Sequence, residues 1–295
     1  MLNAAPPPPL VDVKPVREVR TLSPVNKVSV DGGRAATLVG TTRGWEYVLV
    51  WSPKGIVIRA SLNCDLQESN LVLAGNRFAH VCFQGQNFVV TGTLHPLKAR
   101  VSLRTASFVS LAGRGALVVG SSGRTIWRFD RTGRMSLRRY AKPAIVLDVD
   151  GENVLVERSA AAVDIISRTG RVQATLKLPH GGGALMRGGQ IAAISKRRLV
   201  VSDLGGHRVL TRTVAAGAHL EDVDSGLVVY SVETRLHLLR LADGRDVALR
   251  LRGQFGYASA QLWRGGLFYA YNVANGRAGR AGFVSAAGVQ KLLAG

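Results

Sequence analysis

One short pattern recurs along the whole chain: an apolar strand, a turn containing glycine, and a second apolar strand. It stands at Val30-Asp31-Gly32-Gly33-Arg34, Leu73-Ala74-Gly75-Asn76-Arg77, Leu111-Ala112-Gly113-Arg114-Gly115 and Val149-Asp150-Gly151-Glu152-Asn153. It returns at Met186-Arg187-Gly188-Gly189-Gln190, Val223-Asp224-Ser225-Gly226 and Trp263-Arg264-Gly265-Gly266. The third positions are 43, 38, 38, 37, 37 and 40 residues apart, so seven near-equal units fill the chain. A period in this range marks a stack of supersecondary units, each burying its apolar face against the next.

A second turn falls about 20 residues after the first in six of the seven units. It reads Trp51-Ser52-Pro53-Lys54-Gly55, Phe129-Asp130-Arg131-Thr132-Gly133, Ile166-Ser167-Arg168-Thr169-Gly170 and Ser202-Asp203-Leu204-Gly205-Gly206. Arg240-Leu241-Ala242-Asp243-Gly244 and Val284-Ser285-Ala286-Ala287-Gly288 complete the set, while the second unit, around Thr91 to Lys98, lacks it. Glycine supplies the positive φ of a hairpin turn, and an Asp or Ser three residues earlier bonds the turn backbone. Two hairpin turns per unit make four short strands, A to D, and four strands every 38 residues or so make a propeller blade. The reading is an all-β fold, a seven-bladed β-propeller with four antiparallel strands per blade, over residues 23–295. Continuous apolar runs such as Ala116-Leu117-Val118-Val119 fit inner strands covered on both faces. The segment Glu233 to Asp243 has local helix propensity, but the repeat register places strand C there.

The strand-turn segments Val50-Trp51-Ser52-Pro53-Lys54-Gly55 and Phe129-Asp130-Arg131-Thr132-Gly133-Arg134 resemble the ends of blades in WD40 and quinoprotein-like propellers. The resemblance implies the propeller fold. The Gly-His and Trp-Asp dipeptides of WD40 repeats are missing, and Trp45, Trp51, Trp127 and Trp263 occupy unrelated repeat positions. No function carries over.

Composition agrees with a chain of many turns: 34 of 295 residues are glycine, without the three-residue period of collagen. Apolar residues at 46% exclude a wholly disordered chain, and no apolar run is long enough for a transmembrane helix. Lys and Arg number 39 against 19 Asp and Glu, a net charge of +20, and 31 of the 39 are arginine. Such a field attracts nucleic acid, anionic polymers and anionic headgroups, although GC-rich coding also raises arginine. The basic residues are scattered without a run of five, which excludes a basic tail. Cys64 and Cys82 suit either one disulfide in an exported protein or two inert thiols in a cytosolic one. The lead, residues 1–22, starts with a proline-rich segment resembling the stretch found just after a removed export signal. Residues 1 to about 15 are expected to be extended or disordered.

A search for chemistry finds little. His80, His95, His180, His207, His219 and His237 show no metal-ligand spacing, and no nucleophile elbow or phosphate loop occurs. Asp148-x-Asp150-Gly151-Glu152-Asn153 and Glu221-Asp222-x-Asp224 superficially resemble calcium loops, but lack the later carboxylate and coincide with A–B turns. No metal or cofactor is expected. One positional signal remains: Arg43, Arg124, Arg158, Arg197, Arg235 and Arg277 fall on B–C loops, one in every blade but the second. The few aromatics do not interleave with these arginines in sequence, which weakens a stacking platform for nucleic acid.

The sequence therefore reads as a non-enzymatic binding or scaffold propeller, expected to be a monomer exported from a bacterium. It would take a protein or anionic polymer on a loop face, nucleic acid being unsupported. The alternative is a propeller enzyme of lyase, lactonase or quinone-dependent dehydrogenase type, with its site at the channel mouth. Its candidates on D–A loops are Asp65, Glu68, His180, His219, Glu221 and Asp222. Blade seven carries four candidate strands, at about 257–263, 267–273, 281–286 and 288–293, so Val16 to Leu22 is expected to add to or cover the edge of that blade.

Overall fold

The computed structural model describes residues 7–41, 44–61, 71–83, 85–94, 98–130, 133–178 and 183–294. Seven sheets of antiparallel strands succeed one another in sequence. Blades 1 to 5 begin at Val25, Leu71, Val109, Ile145 and Ala184, and each uses four consecutive strands. Blade 6 runs from Ala218 to Arg250 and blade 7 from Phe255 to Val284. Strand C of blade 6 is Arg235–Arg240, so the repeat register prevails over local helix propensity there.

The A–B turns explain the repeat. At Gly32-Gly33 and again at Ser225-Gly226 both central residues have positive φ. Two such residues make the tight turn whose twist matches the flanking strands. Between blades the strands bury their apolar side chains in clusters, as where Leu38, Val50, Leu73 and Phe78 meet between blades 1 and 2. Trp51 and Phe268 do the same between blades 1 and 7, with ring centroids 5.3 Å apart.

At the axis, every strand A is an inner edge with backbone groups facing the channel. Side-chain acceptors on one blade take N–H donors from the next. Ser29 Oγ accepts from Leu73 N at 2.9 Å, Ser110 Oγ from Val146 N at 3.0 Å, and Asp148 Oδ2 from Met186 N at 2.9 Å. Asp222 Oδ2 accepts from Leu262 N at 2.6 Å, Asp224 Oδ2 from Arg264 N at 3.0 Å, and Gln261 Oε1 from Val30 N at 2.7 Å, which joins blade 7 to blade 1. Strand A of blade 2, Leu71–Ala74, has no polar side chain, and Asp31 Oδ2 of blade 1 accepts from both Gly75 N and Gly115 N, at 2.5 and 2.7 Å. Glycine is required at 75, because a Cβ there would lie 2.6 Å from Gly115 O. Asp31 and Asp224, both at A–B turns, thus tie neighbouring blades together.

Val16 to Leu22 pairs at the edge of blade 7 as expected, but the C-terminal end departs from the expected arrangement. Residues 288–293 are not a strand but part of helix α1 (Ala286–Ala294). Ser285 Oγ accepts from Gly288 N at 3.2 Å as its cap, and Val289, Leu292 and Leu293, at helical spacing, bury against blades 6 and 7. The outer place in blade 7 is therefore open, and β2 (Arg17–Thr21) fills it, antiparallel to Ala278–Val284 with Val19 opposite Ala281. Within the lead expected to be extended or disordered, β1 (Leu10–Asp12) pairs parallel with Asp246–Arg250 as a fifth strand of blade 6. Cys82 on strand B of blade 2 is buried and disulfide-bonded, while Cys64 lies outside the described residues. No helix among the described residues is long and apolar enough to cross a membrane.

These contacts generate two predictions. Deleting residues 1–22 removes buried Val19, worth ~2 kcal/mol, and leaves blade 7 with an unpaired edge. The truncated protein should melt at least about 4 °C lower and associate as concentration rises, checked by scanning calorimetry and light scattering. The second concerns Arg187, whose Nη1 lies 2.6 Å from Asp222 Oδ2 with both side chains buried. Arg187→Met should cost about 3–5 kcal/mol at pH 8, because it strands a buried carboxylate. Burial already pushes the Asp222 carboxyl well above the usual range. A raised folded-state pKa means stability is present in acid and lost as pH rises. The deficit should therefore shrink at pH 5, as read from urea midpoints at the two pH values.

Candidate binding face and central channel

Antiparallel order puts the A–B and C–D turns on one face of the ring and the B–C turns with the D–A connections on the other. Arg124 and Arg197 lie in B–C turns of blades 3 and 5, and Arg277 in that of blade 7. Arg158 and Arg235 stand at strand ends beside the B–C turns of blades 4 and 6. All five are exposed; Arg43 lies outside the described residues. Arg158 Nη1 is 3.9 Å from Asp164 Oδ1, and Arg197 Nε donates to Val214 O at 3.5 Å. Among the described residues, the guanidinium groups of Arg124, Arg235 and Arg277 have no ion-pair partner.

Carboxylates are unevenly shared between the faces. Asp31, Asp130, Asp150, Glu152, Asp203, Asp224 and Asp243 sit at A–B or C–D turns. Of the B–C and D–A carboxylates that are described, Glu233 is exposed, whereas Glu157 and Glu221 are half-buried. Among the described residues, the arginine face is thus the poorer in carboxylates.

Aromatic side chains join it. Phe83 ends strand B of blade 2, Phe108 precedes strand A of blade 3, and Phe255 and Tyr257 open strand A of blade 7. They are 40%, 64%, 51% and 65% exposed, far above the buried rings of the blade interfaces. Asn87 Nδ2 donates to Ser107 O at 3.0 Å, drawing the Phe83 turn toward Phe108, and a Cβ at Gly123, next to Arg124, would lie 3.6 Å from Ser107 Oγ. A Cβ at Gly276, next to Arg277, would lie 3.6 Å from the Phe255 ring. Aromatics and arginines that do not interleave in sequence are interleaved by the fold. This grouping is not legible from the residues alone, because its members belong to different blades.

The central channel opens on the same face as a cavity of about 820 Å³, walled by the first residues of the A strands. Val72, Leu111, Val146 and Leu185 supply apolar wall, and Lys27, Lys196, His219 and Glu221 lie on it, with Asp148 and Arg187 deeper. Burial pushes the Asp148 carboxyl up to about 7, and the charge of Asp222 adds to the rise. Burial also raises Glu221, against the Ser231 hydroxyl, which donates to it at 3.0 Å, and the positive charge of Lys27. Of the expected channel-mouth residues, His219 and Glu221 do line the channel. Asp222 is fully buried and committed to Leu262 N and Arg187. Asp65, Glu68 and His180 lie outside the described residues. Among the described residues no group of three His, Cys, Asp or Glu is placed to hold a metal ion. Sequence reasoning misses Arg187; its signal is a single cation closing the otherwise apolar strand Ala184–Arg187.

No protein-family model and no curated protein sequence matches the chain. Solved structures do match in shape. The β-propeller domain of Cps50 (Swd1) from Myceliophteria thermophila superposes with a TM-score of 0.63 at 13% identity, covering 91% of this chain and 100% of that domain. A chain of the mitotic checkpoint complex gives 0.62 at 13% identity over 96% of both chains. KlHsv2 with its loop 6CD replaced by a Gly-Ser linker gives 0.62 at 10% identity, over 84% of this chain and 89% of that one. At such identities the likeness is one of fold, and with the strand order it establishes the chain as a seven-bladed β-propeller.

Proposed function

We propose that this protein is a non-enzymatic binding propeller that docks an acidic protein partner on its B–C and D–A face. The observation that carries this reading is the joint exposure of Arg124, Arg235 and Arg277 with Phe83, Phe108, Phe255 and Tyr257 on the face poorer in carboxylates. Arginine and aromatic side chains are enriched at protein interfaces and dominate their hot spots. Rim charges of one sign steer an oppositely charged partner and set the on-rate. One propeller of similar shape is a chain of a protein complex, which agrees with a docking role. The disulfide at Cys82 supports an exported protein, since such bonds persist in oxidising compartments.

Poly-L-glutamate and a random glutamate–tyrosine copolymer, immobilised and titrated at low salt, test the reading. The wild type should bind both, the copolymer more tightly, and binding should weaken with added salt. The triple variant Arg124→Gln/Arg235→Gln/Arg277→Gln should bind at least tenfold more weakly, with a melting temperature nearly unchanged because exposed charges stabilise little. Tyr257→Ser should remove the preference for the copolymer. Equal binding by the triple variant, or none by the wild type, overturns the proposal.

A further inference from the structure

We infer that a second, separate surface, the groove around the outer strand of blade 5, binds an acidic polysaccharide. The groove has a volume of about 1580 Å³. It passes from the outer strand of blade 4 (Val172–Lys177), over the outer strand of blade 5 (Arg208–Thr213), to the sheet of blade 6. Pockets for single small molecules are about 300–1,000 Å³, so an extended occupant fits this space better than a compact one.

Its charge is one-sided. Lys177, Arg198 and Arg208 line it, all exposed, and among the described residues none of their side chains has an ion-pair or hydrogen-bond partner. Among the described residues of its lining the one carboxylate, Asp246, is already held: Arg212 Nη2 lies 3.2 Å away, and the Tyr230 hydroxyl donates to it. Arg212 also donates to Gly244 O, so its fork is fixed and Asp246 is not free to neutralise the other cations. Guanidinium groups recognise carboxylate and phosphate oxygens in paired geometry, so the cations alone fix only the charge of the occupant.

The rest of the lining selects among polyanions. Thr211 and Thr213 present hydroxyls, that of Thr175 being donated to Asp164 at 2.7 Å, while Pro7, Pro8 and Leu176 present apolar surface beside them. A sugar ring has hydroxyl edges and apolar C–H faces and can satisfy both, whereas a polyphosphate chain has no apolar face. A single-stranded nucleic acid would need exposed rings for base stacking. The aromatic rings in this lining, Tyr230 and His237, are buried and stacked on each other at 4.8 Å. The proline wall is held in place, since Pro9 O accepts from Ala248 N at 2.8 Å and β1 continues along blade 6.

Lys196 and Arg197 border both the groove and the loop face, and so are left untouched in the test. The full chain is titrated by calorimetry at low salt with a galacturonate hexasaccharide, neutral cellohexaose, and polyphosphate matched in charge. The uronate should bind, cellohexaose should not, and polyphosphate should bind at least tenfold more weakly. Lys177→Gln/Arg198→Gln/Arg208→Gln should weaken the uronate at least tenfold while its circular dichroism and melting match the wild type. The loop-face variant Arg124→Gln/Arg235→Gln/Arg277→Gln should bind the uronate as the wild type does. No uronate binding, equal binding by the groove variant, or equal affinity for polyphosphate overturns the assignment. An equal loss in the loop-face variant overturns it too, by placing the sugar on the other surface.

Discussion

The ring depends on how the seven inner strands satisfy the backbone groups they turn toward the axis. An inner edge has no further strand to pair with, and a buried N–H without an acceptor costs about 1–3 kcal/mol. Here the acceptor comes from the preceding blade, carried by residues two apart on one side of strand A: Ser29 and Asp31, Ser259 and Gln261, Asp222 and Asp224. The spacing reflects the alternation of side chains along a strand. Because each bond joins two blades, the sheets are held in register as well as packed, and blade 7 is fixed to blade 1 at Val28 and Val30. Where blade 2 offers no acceptor, Asp31 serves two donors, which is why backbone and carboxylate come so close at Gly75.

The same constraint accounts for part of the basic composition. Several arginines act as donors to carbonyls of the neighbouring blade: Arg34 to Gly75 O, Arg77 to Ala116 O, Arg100 to Asp130 O and Arg138 to Gly170 O. Each closes a polar contact between blades through a guanidinium-to-carbonyl bond. A fold built in this way tolerates 39 cations beside 19 anions, since many cations answer to carbonyl dipoles. The excess charge then has two origins. Some of it belongs to the architecture, and some lies in exposed cations such as those on the loop face and around blade 5.

What can be read from the residues is what local chemistry specifies. The glycine turns are local, so the seven units and their four strands are legible, and so is the placement of the B–C arginines on one face. Roles that depend on distant residues are not. Asp31 meets Gly115 across 84 positions, and Asp222 meets Leu262 across 40, so neither contact leaves a trace near the aspartate. Phe83, Phe108 and Tyr257 belong to different blades and come to share one face only when the ring closes. The departure at 288–293 has another cause. There the repeat register competes with local signals, the Ser285 cap and the Val289, Leu292 and Leu293 spacing, and the helix wins because the lead takes the strand position.

The division of labour between axis and surface also bears on what the channel can do. Asp148 and Asp222 sit deep and carry raised pKa values, features often met at catalytic sites. Both, however, already accept two backbone N–H donors, Asp148 from Val149 and Met186 and Asp222 from Val223 and Leu262. Moving either carboxylate toward a substrate would open a contact between blades. A group held by the architecture is poorly suited to change partners during a reaction, whereas the turns and rim outside this lacing can vary without disturbing it. Recognition is therefore expected where the side chains are not bound into the ring: on the loop face and along blade 5, both of which carry cations that the fold itself does not use.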